Sequence, residues 1–454
     1  SKSARRAISQ ATFDEVVLEC ISDLDMTLAE AIDEARCQFR TQGVDLSAIK
    51  DTTLDQEPSQ SLDELNDAIL SKNIDSIVSF IESVDDDKLT TLAEDGLIGA
   101  MIYVCHSFVA ERSLLVAAIA LLKRILKRGA QSLIPSPALA KFMDALRHHL
   151  EDAEIQRQGL DVLRKAISRH EPHKITIHAN GFNDHVDGVI ATHPDDSGVF
   201  ASLCKTIQRY LSDDDRRPGV HPNTFARARE MAMTDGRSDG GCISVFISVL
   251  RQKLHDPVYI VLICSTLKTM AVTDAICSRL ADDVLHLCIK AVKMHASDPA
   301  VVSSALSLFK ILSRNDDVKV RLCGEALPAL IVILELHSDS DKVVVQALGT
   351  LSAMTLRQPS NCESIANSGL IPLITSAMCR HPDVVGVQRS AIITLRNMVS
   401  SPQNKHLGTL ILEENAEDLI RQAHEGHEEC RDVAFAALRE LGKPYKAFWT
   451  GIDT

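Results

Sequence analysis

The sequence predicts an all-α fold, a right-handed solenoid of stacked helical repeats, and three observations predict it. The stretch Val385 to Met398, VGVQRSAIITLRNM, puts Val387, Ala391, Leu395 and Met398 at steps of four, four and three. Those steps mark one face of a 3.6-residue period. The same pattern then returns along the chain. Its central apolar residues Leu122, Leu163, Ile207, Leu267, Phe309, Leu351, Leu395 and Leu438 lie 41, 44, 60, 42, 42, 44 and 43 residues apart. Composition agrees, because 45% of residues are apolar but only 4% are aromatic, with a single tryptophan. An aliphatic core of that kind suits packed helices better than a sandwich or barrel, which favour aromatic and β-branched residues.

A period in the low forties in a helical chain is the signature of an armadillo- or HEAT-type solenoid. The 454 residues then form a continuous repeat array instead of roughly three separate globular domains. The interval of 60 is 18 longer than the 42 that follows it, which places an insertion at 211–241.

Taken in order, residues 1–43 read as an N-terminal helical segment. Thr12 with Glu15 and Thr27 with Glu30 fit the capping box, and Gly43 is placed to end the second helix. Residues 44–60 lose periodicity, carry Pro58 and read as a linker. Ser61 with Glu64 offers a further capping box, and an array of about eight repeats is expected over 61–442. Breaks are expected at DDDK (85–88), PSP (135–137), Glu171 to Ser197 and the insertion, with a short tail at 443–454.

Asn361, Ile365, Gly369 and Pro372 in NCESIANSGLIPLI stand where the armadillo consensus has Asn, an apolar residue, Gly and a helix-opening Pro. Pro328 in EALPALI repeats the proline. More narrowly, ATFDEVV and EAIDEARCQFRTQGVDLSAI near the start, SDDDRR (212–217), NDDVK (315–319), VGVQRSAIITLRNMV (385–399), DVAFAALRELG (432–442) and FWTG (448–451) resemble the armadillo repeat-containing protein 6 family. That resemblance implies an armadillo fold and a protein-interaction role, and it carries over no catalytic residue.

The formal charge is −14, which disfavours a dominant nucleic-acid role. Twelve cysteines form no CxxC pair, and most sit in apolar helical context. Reduced, buried thiols in a cytoplasmic or nuclear protein are expected. No signal peptide is visible in SKSARRAISQ, and the longest apolar runs are too short to span a bilayer.

Chemistry is hard to find. HEGHEEC (424–430) is not the zinc motif HExxH, because its histidines are three apart. His170, His173, His178 and His185 cluster without a cysteine or regular spacing, so a loop accounts for them better than a metal site. No phosphate-binding loop, nucleophile elbow or triad is visible. The expectation is therefore no enzyme, no cofactor and no small-molecule substrate.

Two surfaces remain as candidates for binding a partner protein. The insertion, DDDRRPGVHPNTFARARE, offers Arg216, Arg217, Arg227 and Arg229, which suit carboxylates or phosphates on a partner. Pairing of these arginines with Asp213 to Asp215 is the structural alternative. The second surface is the concave face lined by third helices. Its asparagine column reads Arg209, Thr269, Ile311, Ala353, Asn397 and Glu440, so only Asn397 matches, and the tryptophan column holds no tryptophan. A nuclear-import receptor for basic peptides is thereby disfavoured. Arg209, Thr269, Arg396 and Asn397 are the groove candidates. The expected function is a scaffold or adaptor, the alternative a permanent structural subunit of a larger complex.

Overall fold

The computed structural model describes residues 12–13, 16, 28–42, 44, 46, 62–233 and 241–443. The three capping boxes, Gly43, the 44–60 linker and the tail rest wholly or partly on residues outside that set. Every regular element among the described residues is a helix. The chain divides into two compact units, Ser1–Val84 and Asp85–Thr454.

In the first unit Phe39, on the helix Leu28–Thr41, meets Phe13 with ring centroids 6.0 Å apart. The helices Leu62–Leu70 and Ile74–Ser83 pair through buried Leu65, Ile77 and Phe80. Asn73 starts the second of them by accepting from the Ser76 amide.

The second unit is the repeat array. Its third helices are Arg112–Leu126, Ala153–Ala166, Ser197–Tyr210, Pro257–Met270, Pro299–Leu312, Asp341–Thr355, Val385–Ser400 and Arg431–Glu440. Each packs on the next, forming one continuous layer, while first and second helices form the other. The central residues of the sequence period are buried at all eight positions, as are the small or apolar residues four before them. The closest approach is at Gly159, where an added Cβ would lie 2.3 Å from Leu146 Cδ2. A side chain there would require the buried Leu146 side chain to move aside.

The corner between second and third helix reuses two devices along the array. Asp152, Asp196, Asp256 and Asp298 cap their third helices by accepting from free backbone amides of the first turn. Three residues earlier stands a histidine in most corners. Nε2 of His149, His193, His295, His337, His381 and His427 meets the carbonyl of Val109, Leu150, Leu254, Ala296, Ser338 and Pro382 at 2.5–2.9 Å. A carbonyl only accepts, so each imidazole donates from Nε2. Every one of these bonds ties a corner to the corner of the repeat before it. Lys253 occupies the slot where a histidine is missing. There the Tyr259 hydroxyl donates to the Pro194 carbonyl at 3.3 Å, and the Lys253 ammonium pairs with Asp195.

The structure corrects three readings. The expected break at Glu171 to Ser197 contains two helices, Glu171–Ala179 and Phe182–Thr192. The first is polar and histidine-rich and buries only Ile177 among its apolar side chains, whereas the second buries Phe182, Val186, Val189 and Ile190 at helical spacing, a period too short to stand out beside the repeat. Pro328 does not open a helix but lies inside the continuous helix Asp316–Leu336. In the next repeat Gly369, at φ 78°, reverses the backbone and separates Pro359–Asn367 from Leu370–Arg380. Without a left-handed residue at the matching place, the chain around Pro328 stays helical. Finally, the 211–241 stretch is not wholly extra chain. Its Thr224–Ala232 segment forms a helix in the first-helix position of its repeat, and among the described residues 212–223 is an irregular part of it.

The described cysteines are free thiols, and all except Cys37 and Cys379 are buried. Burial pushes the Cys204 thiol up to about 12, far from a reactive thiolate.

Replacing His337 by Leu removes a donor from the Ala296 carbonyl and should cost about 1–2 kcal/mol in denaturant titration. Replacing exposed His255, outside the corner series, should stay within about 0.5 kcal/mol. Equal losses would show that the corner bonds contribute nothing.

Candidate interaction surface

The irregular segment 212–223 is anchored through its acids, not displayed by them. Asp214 Oδ1 accepts from the Lys174 ammonium at 2.5 Å, and its Oδ2 from Arg209 Nη1 at 2.7 Å and the Arg169 amide at 3.1 Å. Burial pushes the Asp214 carboxyl up, but these donors outweigh it and hold the group below the usual carboxylate range. Lys174 is itself fully buried and also donates to the Ser212 carbonyl at 2.6 Å. Asp215 accepts from Arg217 Nη2 at 2.6 Å, from Arg217 Nε at 2.9 Å and from the Glu171 amide at 2.7 Å. The Arg217 guanidinium holds the Asp215 carboxyl far below the ordinary range.

Deeper still, Arg227 and Glu171 are each about 2% exposed at the side chain and form a two-point ion pair. Nη1 donates to Oε1 and Nη2 to Oε2, the latter at 3.1 Å. Glu171 Oε1 also accepts from the Asn223 amide at 2.9 Å, and the guanidinium lies 5.2 Å from the Tyr210 ring centroid. Tyr210 and His178 share a hydrogen bond of 2.7 Å, and His178 Nε2 stands 3.2 Å from Glu230. One buried network therefore clamps the segment onto the helix Glu171–Ala179.

The four histidines sit in this region, but only His170 and His173 come together, their rings stacked with centroids 3.6 Å apart. His170 caps the helix by accepting from the His173 amide. His173 faces the Ala166 and Ile134 carbonyls at 2.8 and 3.1 Å. His185 is buried with neither ring nitrogen bonded, and burial lowers it to about 4. Among the described residues, no group of three or more His, Cys, Asp or Glu side chains is placed to hold a metal ion.

The sequence-selected residues thus separate. Arg216 and Arg229 are exposed. Arg217 is exposed but committed to Asp215, and partly exposed Arg209 is held by Asp214. Arg227 faces inward. On the third helices, Thr269 is half-buried and donates to the Thr266 carbonyl of its own helix at 2.7 Å. Asn397 is 7% exposed and donates to the Ser352 carbonyl at 3.2 Å and to Thr355 Oγ1 at 3.3 Å, both on the preceding third helix. It ties helix to helix. Arg396 is half-buried, with Nε lacking any hydrogen-bond partner. An open depression nearby is lined by Ser265, Ser303, Ser307, Lys342, Val345 and Gln346, from three successive third helices. Ser265 and Ser307 stand in the tryptophan column that the repeat period assigns to the concave face, so the period pointed to these two positions although no motif marked the remaining lining residues.

Residues 5–65 match the family model of the armadillo repeat-containing protein 6 N-terminal domain. Over 300 residues the chain is 27% identical to Armadillo repeat-containing protein 6 of Homo sapiens and of Pongo abelii, covering 62% of this chain and 58% of each relative. The match spans a little over half the length of those relatives. The resemblance read from the sequence is borne out. Similar solved structures include an engineered protein (TM-score 0.55, 14% identity, 84% of this chain and 99% of that one). Another, from work on a phosphorylation switch between cadherin and β-catenin, gives 0.57, 17%, 84% and 69%. SYS-1 gives 0.52, 12%, 82% and 72%. At these identities the likeness is one of fold, and the fold is the armadillo-type solenoid.

Breaking the buried pair by Arg227→Met strands a carboxylate and should cost about 3–5 kcal/mol, whereas Arg227→Met with Glu171→Met should regain most of that. A double variant as unstable as the single would refute the account of the pair. The sign for pH follows from depressed carboxyls. Asp214 and Asp215 contribute stability that is present above the unfolded value of about 3.9 and lost as pH falls through their lower folded values. Asp214→Asn with Asp215→Asn should flatten the fall in melting temperature below about pH 4; an unchanged slope would place the acid sensitivity elsewhere.

Proposed function

We propose that this armadillo-type solenoid, similar to armadillo repeat-containing protein 6, is a non-enzymatic scaffold or adaptor in the cytoplasm or nucleus. It binds a partner protein through the concave face of its third helices and the exposed edge of the 211–241 segment. The observation that supports this most is the open depression spanning three third helices around Ser265, Ser303 and Ser307. Such a surface offers hydroxyls and small side chains to an extended chain without a pocket that would orient a small substrate. Arg216 and Arg229 add two exposed cations at the segment. Asp213 is exposed, while Asp214 and Asp215 are spent on anchoring, so the segment's binding capacity rests on its arginines.

The two surfaces can be separated by affinity purification from native lysate. Arg216→Glu with Arg229→Glu reverses the segment, and Ser303→Tyr with Ser307→Tyr fills the groove without changing charge. A partner retained by the wild type should be lost from at least one variant while each variant keeps its wild-type melting temperature. Retention by both would sink the assignment of these surfaces. Gel filtration of the isolated chain distinguishes the adaptor, which should run as one monodisperse species, from a permanently assembled subunit, which should aggregate alone.

A further inference from the structure

Charge is distributed unevenly between the layers. The chain has 48 Lys and Arg against 62 Asp and Glu, yet its eight third helices hold fifteen against five. Five of them, Arg112–Leu126, Ser197–Tyr210, Pro257–Met270, Pro299–Leu312 and Val385–Ser400, contain no Asp or Glu at all. One column, just after the central apolar residue, reads Lys123, Arg164, Gln208, Lys268, Lys310, Ser352, Arg396 and Arg439.

Three of these bases, Lys123, Lys268 and Lys310, lean toward the following third helix. Lys123 Nζ reaches Asp161, two before the next central residue, at 3.5 Å. Lys268 makes the same reach but finds Ser307 Oγ, at 2.8 Å. Lys310 lies across Gly349, where an added Cβ would be 3.2 Å from Nζ. The position that holds a carboxylate for Lys123 is thus a serine and then a glycine further along. Lys205, Lys268 and Lys310 are exposed, and Nε of Arg396 has no partner.

We infer that the third helices from Lys205 to Arg396 bind an acidic, extended segment of a partner protein, whose carboxylates complete the ion pairs this column leaves open. The inference rests on the reading that these helices face the partner. Helices stack about 8–10 Å apart and an extended chain advances about 3.3 Å per residue, so one carboxylate roughly every third residue matches one repeat. Single-stranded nucleic acid needs exposed aromatic platforms. Here Phe200, Tyr210, Tyr259 and Phe309, the aromatics of these helices up to Ser400, are all buried. The net charge of −14 would also repel a long polyanion, whereas a short acidic segment meets only the local field.

The test uses the whole chain and fluorescein-labelled probes: Ser-Glu-Leu repeated five times, the same peptide with Lys for Glu, and a fifteen-nucleotide oligothymidylate. Fluorescence anisotropy should show the acidic peptide bound, more weakly at 300 than at 50 mM NaCl, with no binding of the basic one. Lys268→Glu with Lys310→Glu should weaken it at least tenfold at an unchanged melting temperature. If that variant melts lower, Lys205→Glu with Lys342→Glu is read instead. No binding of the acidic peptide, equal binding of the basic one, tighter binding of the oligonucleotide or an unaffected charge variant overturns the inference. A partner lost from the Ser303→Tyr, Ser307→Tyr variant while the acidic peptide stays unbound would leave the scaffold reading standing and remove only the acidic ligand.

Discussion

The bond from a corner histidine to the carbonyl of the preceding corner is the constraint on which the array depends. Stacked third helices bury aliphatic faces, and aliphatic contact has no preferred register by itself. A directional hydrogen bond at one end of each repeat fixes where the next one sits. Asp152, Asp196 and Asp298, three residues beyond a histidine, then start the third helix from that fixed point. Reaches from one third helix to the next, such as Lys268 to Ser307, need that registration.

Where the histidine is absent, different chemistry carries the joint. Between the helices Ser197–Tyr210 and Pro257–Met270 the chain spends its longest interval, and Lys253 and Tyr259 serve at the corner. The irregular segment entering that joint is tied down by ions in place of apolar side chains, with Lys174, Asp214, Glu171 and Arg227 buried or nearly so. Buried charges of this kind add little net stability over apolar replacements, but once present each demands its partner. They hold a segment too polar to pack in one conformation, and the anchoring bonds among the described residues engage exposed Arg217 but not exposed Arg216 and Arg229.

Much of this was legible in the sequence, and the reasons for the rest are physical. The period of Leu122 to Leu438 located every third helix, because burial of one helical face is a local pattern repeated without interruption. The helices Glu171–Ala179 and Phe182–Thr192 were hidden, since His173, Lys174 and His185 are buried through distant partners or by enclosure that a window of sequence does not contain. Arg227 looked like a surface cation for the same reason, as its partner Glu171 lies 56 residues away. The corner series was visible in principle: His149, His193, His295, His337, His381 and His427 follow the repeat period, and aligning the repeats on polar residues as well as apolar ones would have exposed it.

The missing histidine also has a mechanical meaning. A chain of similar links under tension or bending yields first at the link that differs. Seven joints connect the eight repeats, and six carry an imidazole tie; in the seventh the Tyr259 hydroxyl and the Lys253–Asp195 pair stand in its place, beside the Gln208–Thr266 bond and the Phe200–Tyr259 ring contact. Thermal bending should therefore gather at that joint, with three repeats swinging as one lever and five as the other. An array whose links differ at one place can flex there without unfolding any single repeat.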